Sequence, residues 1–79
     1  MMNPCLPLAM VGDGEVVTVV GVNAGRGLTK RLADMGLVPG TKLRIVNSQM
    51  SGPIMVEVRG SRLVLGRGVA QKVMVGEQR

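Results

Sequence analysis

The chain has 79 residues with no His, Phe, Tyr or Trp, so it can form one small domain whose core must be aliphatic and methionine-rich. The absence of histidine excludes imidazole bases and histidine metal ligands. Ten Lys and Arg residues against five Asp and Glu give a net charge of +5, which favours an anionic partner or surface.

The first residues are predicted to form a lead-in to the domain, with residues 1–7 as an N-terminal extension. Leu6, Leu8 and Met10 alternate and can pair loosely with the domain. The single Cys5 excludes an internal disulfide and fits a reducing compartment. No signal peptide and no apolar run of ~18 residues is visible, so a soluble, cytoplasmic protein is expected.

The first predicted strand is the β-branched run from Glu15 to Val22. It follows a turn at residues 12–14 and precedes a loop from Asn23 to Gly27. Asn23 can cap the next helix if that helix starts early.

A short amphipathic helix is predicted next, because Leu28, Leu32 and Met35 have helical spacing and give one buried stripe. Gly36 suits the left-handed position that ends a helix. With Gly36 at that position, Leu37 is expected to contact Leu32 in a Schellman ending.

A turn and a second strand follow. Val38 precedes proline and is therefore extended, while Pro39-Gly40 suits the centre of a type II turn. The strand runs from Thr41 to Asn47. It places Leu43 and Ile45 on one face and Lys42 and Arg44 on the other.

After a turn at Ser51-Gly52-Pro53, a hairpin is predicted from the strands Ile54–Arg59 and Arg62–Leu65, joined at Gly60-Ser61. Its first strand alternates, with one face formed by Ile54, Val56 and Val58 and the other by Met55, Glu57 and Arg59.

Residues Gly66–Gln71 are predicted to form a single helical turn that buries Ala70. Lys72–Val75 is the last predicted strand, and residues 77–79 form a tail. Five short strands with one helix after the first predict a mainly β protein, a small barrel that leaves no exposed sheet edge.

Little in the chain can perform chemistry. Asp13 and Glu15 are the only carboxylates close together in the sequence, and they are interpreted as charged residues at the rim of a turn rather than as an acid/base pair. The Gly-Arg-Gly triplets at residues 25–27 and 66–68 match no phosphate-binding motif and are interpreted as loops. The methionines follow strand and helix faces and are interpreted as packing residues. No enzyme activity, cofactor or metal site is predicted.

A specific order of short motifs runs through the chain. It consists of Arg31-Leu32, Met35-Gly36-Leu37, Pro39-Gly40, Gly52-Pro53-Ile54 and Leu63-Val64-Leu65, then a turn around Ala70. In this order the motifs resemble the FeoA family of bacterial ferrous iron uptake over residues 8–76. The resemblance implies an SH3-like barrel with the helix between its first two strands. Similar domains occur at the C-termini of repressors of the diphtheria-toxin-repressor type.

The resemblance also implies a non-enzymatic accessory role beside FeoB, the membrane iron transporter with a cytoplasmic G domain. The charged side of the helix and the adjoining turn are the expected partner-binding surface, formed by Arg26, Lys30, Arg31, Asp34 and Val38. The alternative is a basic SH3-like barrel that binds structured RNA or duplex backbone, with a steep salt dependence. Binding of single-stranded nucleic acid is not expected, because the chain has no aromatic side chains on which bases could stack. The oligomeric state is open.

Overall fold

The computed structural model describes residues 5–48 and 52–77. Within them the elements are β1 (Leu6–Pro7), a 3₁₀ turn (Leu8–Met10), β2 (Val16–Val22), α1 (Arg26–Asp34), β3 (Lys42–Ser48), β4 (Ile54–Val58), β5 (Ser61–Leu65), α2 (Arg67–Ala70) and β6 (Val73–Glu77). The five predicted strands and the helix are therefore present. The additional strand, β1, is too short to give a recognisable sequence pattern.

The six strands form one antiparallel sheet in the order β1-β6-β2-β3-β4-β5. The last strand begins one residue later and ends two residues later than predicted, because β6 pairs with β2 as far as Val17 and Glu77. The sheet curls around an aliphatic core, so the predicted mainly β, SH3-like architecture is confirmed. The core residues are Leu8, Val11, Val17, Val19, Leu32, Leu37, Leu43, Ile45, Ile54, Val56, Val58, Leu65, Ala70, Val73 and Val75. No methionine of the described residues is among them, so the expectation of a methionine-rich core is wrong.

Two register shifts help the sheet to curl. One lies between Val19 and Gly21 of β2, opposite β6, and the other between Ile45 and Asn47 of β3, opposite β4. An extra residue in one strand of an antiparallel pair bends that strand and increases its twist. The two outer strands of the sheet, β1 and β5, do not pair with each other, so the barrel is not strictly closed. The prediction that no sheet edge is exposed is therefore wrong for β5, whose Val64 is 59% exposed.

The end of α1 has the predicted Schellman geometry. The amide of Leu37 donates to the carbonyl of Leu32 at 2.9 Å, and the amide of Gly36 donates to the carbonyl of Ala33 at 2.9 Å. Gly36 has φ +93°, and both Leu32 and Leu37 are buried. The helix therefore ends with the hydrogen bonds that the sequence predicted, and both leucines belong to the core.

Gly36→Ala is expected to destabilise the protein by about 1–2 kcal/mol, because a side chain is strained at positive φ. No neighbouring atom lies within 4 Å of the Cβ that alanine would add, so the loss is conformational. Thermal unfolding measures it. The matched control is Gly27→Ala inside α1, where space is also open and φ is ordinary; this change is expected to raise stability by about 0.4–1 kcal/mol. Equal effects of the two changes would contradict this interpretation.

The predicted type II turn connects α1 to the sheet. The amide of Thr41 donates to the carbonyl of Val38 at 3.0 Å, and Gly40 has φ +95°. The amide of Gly40 also donates to the carbonyl of Val19, and the buried Thr41 hydroxyl donates to the carbonyl of Gly36. These bonds fix the C-terminal end of α1 relative to β2.

The hairpin turn differs from the prediction. Val58 pairs with Ser61, so the central residues are Arg59 and Gly60 rather than Gly60 and Ser61. Both have positive φ, at 52° and 82°, which defines a type I′ turn. This turn type matches the twist of the two strands, and glycine occupies its second central position.

The start of α1 also differs from the prediction. Gly25 is the N-cap, so no side-chain hydrogen bond caps the helix. The backbone amide of Asn23 donates to the carbonyl of Lys72. Asn23 is thus held beside the last strand and does not cap the helix. Arg26 and Gly27 form the first turn of α1, so the prediction of a loop at residues 25–27 is wrong beyond Gly25.

The second Gly-Arg-Gly triplet has a structural role that the sequence did not show. Arg67 starts α2, and its half-buried guanidinium donates to the carbonyls of Gly52 at 3.1 Å and Ala9 at 3.5 Å. It thereby links the entry to β4 with the 3₁₀ turn. The predicted helical turn and the burial of Ala70 are confirmed. Ser51, in the preceding predicted turn, lies outside the described residues.

Candidate functional site

A groove of about 200 Å³ runs between α1 and the end of β5, and it is called the α1–β5 groove below. Its lining consists of Leu28, Arg31, Leu32, Met35, Val64, Leu65, Gly66 and Val69. Among the described lining residues, Arg31 alone has a charged side chain. The groove is smaller than the ~300–1,000 Å³ typical of small-molecule pockets, and its shape suits one or two side chains of a partner.

The groove exists because α1 buries only part of its apolar face. Leu32 is buried in the core, Leu28 is half-buried, and Met35 is 41% exposed. The prediction that Met35 belongs to the buried stripe is therefore wrong. Met35 lies at the C-cap of α1, beside the groove, where none of the described elements covers it fully. Val64 of β5 is also exposed, at 59%.

The two elements that border the groove, α1 and β5, each carry an arginine without an ion pair in the described part of the chain. Arg31 and Arg62, on α1 and β5, take part in no ion pair within the described residues. Glu57 is opposite Arg62 in the β4–β5 register but binds Arg44 at 2.9 Å instead. The first turn of α1 has no acidic residue, so nothing there offsets the positive end of the helix dipole.

The five predicted partner-binding residues do not form one cluster. Arg26, Lys30 and Asp34 lie on exposed positions of successive turns, with the Lys30 ammonium 3.8 Å from the Asp34 carboxylate. Such an exposed pair contributes little to stability. Arg31 lines the α1–β5 groove, and Val38 is half-buried at the start of the type II turn.

Sequence reasoning missed Val64, Val69 and Arg62 as possible surface residues of the site. The sequence predicts a strand at Val64, and the alternation Arg62, Leu63, Val64, Leu65 places Val64 on the side opposite Leu63 and Leu65. Its proximity to α1 depends on the fold and has no local signal.

Other kinds of site find no support in the described residues. No three His, Cys, Asp or Glu side chains there are grouped as they would be to hold a metal ion. Cys5 is exposed and unpaired. Neither helix of the described segments has both the length and the apolar character needed to cross a membrane.

Comparisons with known proteins identify relatives of the whole domain. The sequence model described as "FeoA domain" matches residues 6–77. A protein of Methanocaldococcus jannaschii that carries the name Fe(2+) transport protein A is 42% identical over 69 residues, which are 87% of this chain and 83% of the relative.

Solved structures agree with this result. The crystal structure of an iron uptake regulatory protein, FeoA, superposes with a TM-score of 0.86 at 36% identity, covering 92% of this chain and 97% of the other. A manganese-dependent transcriptional repressor has a TM-score of 0.87 at 24% identity, covering 99% of this chain and 44% of the repressor. The repressor shares the fold. The alternative of RNA or duplex binding gains no support from the two relatives named for iron.

Proposed function

Because the chain belongs to the FeoA domain family, we propose that it is a non-enzymatic cytoplasmic accessory protein of ferrous iron uptake. In this role it docks onto the cytoplasmic G domain of a FeoB-type membrane transporter. The observation that carries the proposal is the open α1–β5 groove, with exposed Met35 and Val64 beside Arg31, which has no ion-pair partner in the described part of the chain. Apolar surface next to a cation is typical of a protein-docking surface.

Within this surface Arg31 is the central charged contact and the other predicted residues are peripheral. Arg31 borders an apolar groove, where a partner would exclude water and strengthen a charge–charge contact. Arg26 and Lys30 lie on the exposed side of α1 and would act through longer-range attraction. Asp34 already neighbours Lys30, and Val38 would add an apolar contact at the turn.

Arg31→Glu is expected to weaken binding to the purified G domain by about tenfold or more, equivalent to about 1.4 kcal/mol, because it reverses the charge beside the groove. Lys30→Glu is expected to have a smaller effect of the same sign. A titration by isothermal calorimetry at low and physiological salt, with and without guanine nucleotide, measures both.

The matched control is Lys42→Glu, which makes the same charge change at an exposed position of β3 outside the groove lining. It should weaken binding to the G domain only slightly, through the lower net positive charge of the protein. If Arg31→Glu binds as tightly as Lys42→Glu, the charged docking surface is wrong. If the unchanged protein does not bind the G domain, the proposed partner is wrong.

A further inference from the structure

We propose that the free edge of β5 is a strand-addition site, where an extended, acidic segment of a partner protein pairs with β5 as a seventh strand. One apolar side chain of that segment enters the α1–β5 groove. The inference rests on the proposed docking function, which it deepens by naming the binding mode and the chemistry of the segment.

The edge of β5 is available for pairing. The two-residue turn makes Val58 and Ser61 a hydrogen-bonded pair. Along an antiparallel pair of strands, hydrogen-bonded and non-hydrogen-bonded residue pairs alternate. The main-chain groups of Leu63 therefore face β4, whereas those of Arg62 and Val64 face away from it. Within the described segments no backbone hydrogen bond from outside the sheet reaches Arg62 or Val64.

The two edges of the sheet are protected to different degrees. The β1 edge is two residues long and contains Pro7, both of which are common protections against unwanted pairing. The β5 edge is five residues long, lacks proline and exposes Val64. An unprotected edge of this kind, in a protein whose other edge is blunted, is typical of strand-addition sites.

The groove provides a place for a side chain of the added strand. The groove lies between α1 and the C-terminal end of β5, at Val64 and Leu65. A strand added about 4.8 Å from β5 would reach the groove at that end. Alternate side chains of that strand would point toward one face, and one of them could contact Leu28, Met35 and Val69. Backbone pairing would supply affinity, and the groove would select the apolar side chain.

Charge identifies the occupant as an acidic segment of a different protein. Arg31 and Arg62 have no carboxylate partner among the described residues, and the chain as a whole carries +5. A second copy of this chain would place its own Arg62 and Arg31 near the same charges, which is repulsive. A segment in which carboxylates alternate with apolar residues would satisfy both the charge and the groove.

Amide hydrogen exchange of the full chain, measured by NMR with and without the transporter's G domain, tests the pairing directly. The amides of Arg62 and Val64 should exchange about tenfold or more slowly in the complex, because each gains a hydrogen bond. The amide of Leu63 already bonds β4 and should change little. Unchanged exchange at Arg62 and Val64 in a saturated complex overturns the proposal and leaves the docking function standing.

A pair of variants gives a second readout. Val64→Pro removes the outward amide without removing a bond to β4, and proline is tolerated on edge strands. It should weaken binding about tenfold or more, whereas Val64→Thr, which keeps the amide and the branched shape, should bind within about threefold of the unchanged protein. Equal binding by folded Val64→Pro overturns the proposal. If this variant does not fold, the exchange measurement decides alone.

A peptide of alternating glutamate and valine separates the two proposals. If the G domain does not bind the unchanged protein, the proposed partner fails and the peptide alone tests the edge. Titration should then shift the amide resonances of Arg62 and Val64, and more strongly at low salt than at high salt. No shift at millimolar peptide overturns the strand-addition site, and the corresponding lysine–valine peptide is the charge control.

Discussion

Replacing Leu32 with alanine is expected to lower the free energy of unfolding by about 2–5 kcal/mol, because it removes a buried leucine side chain and leaves a cavity. Leu32 is 2% exposed and is the only buried residue of α1, so it anchors the helix to the core. A 79-residue domain has little stability to lose. Urea unfolding followed by circular dichroism should show a lower midpoint with an unchanged slope.

The matched control is Met35→Ala, which truncates a long apolar side chain only three positions along the chain. Met35 is 41% exposed, so this change is expected to cost at most about 1 kcal/mol. It should nevertheless weaken binding of a partner in the α1–β5 groove, which Met35 lines. A loss of stability for Met35→Ala equal to that for Leu32→Ala would contradict the burial difference between the two side chains.

The end of α1 and the turn after it could be predicted because their signals are local. Gly36 and Gly40 adopt positive φ at the two positions where the chain requires it, and Pro39 precedes the second. Such requirements depend on a few adjacent residues and not on the rest of the fold. The alternating strands were equally recognisable, since Ile54 and Val56 share one face whatever strand lies next to them.

The candidate site was predicted only in part, because its shape depends on how distant segments meet. Helical spacing placed Leu32 and Met35 on one stripe, but it could not show that the space beside Met35 stays open. Arg31 was singled out on charge, whereas its place in an apolar groove follows from the position of β5. The exposure of Val64 follows from the alternation along β5, whereas its position beside α1 depends on the fold and has no local signal.

The exact position of the hairpin turn could not be predicted, for a different reason. Both Gly60-Ser61 and Arg59-Gly60 contain a glycine and suit a two-residue turn, so composition alone does not choose between them. The choice follows from pairing: with Arg59-Gly60 in the turn, Val56 lies opposite Leu63 and Ile54 opposite Leu65. A shift by one residue would turn one of these strands over and expose its apolar side chains.

Arg67→Met is expected to lower the free energy of unfolding by about 1.5–3 kcal/mol, the usual range for hydrogen bonds made by a charged donor. The half-buried guanidinium of Arg67 donates to the carbonyls of Gly52 and Ala9, which are distant in the chain. Methionine can fill much of the space but donates no hydrogen bond, so the two carbonyls lose this partner. Thermal and urea unfolding of the full chain measure the loss.

Two further variants separate the geometry of Arg67 from its charge. Arg62→Met makes the same change at an exposed arginine that forms no ion pair among the described residues, and it should alter stability by no more than about 0.5 kcal/mol. Arg67→Lys keeps the charge, but a single ammonium lacks the planar set of donors that reaches both carbonyls, so most of the loss should remain. If Arg67→Lys is as stable as the unchanged protein, positive charge alone is sufficient at this position, and the link between the 3₁₀ turn and the entry to β4 does not depend on the guanidinium.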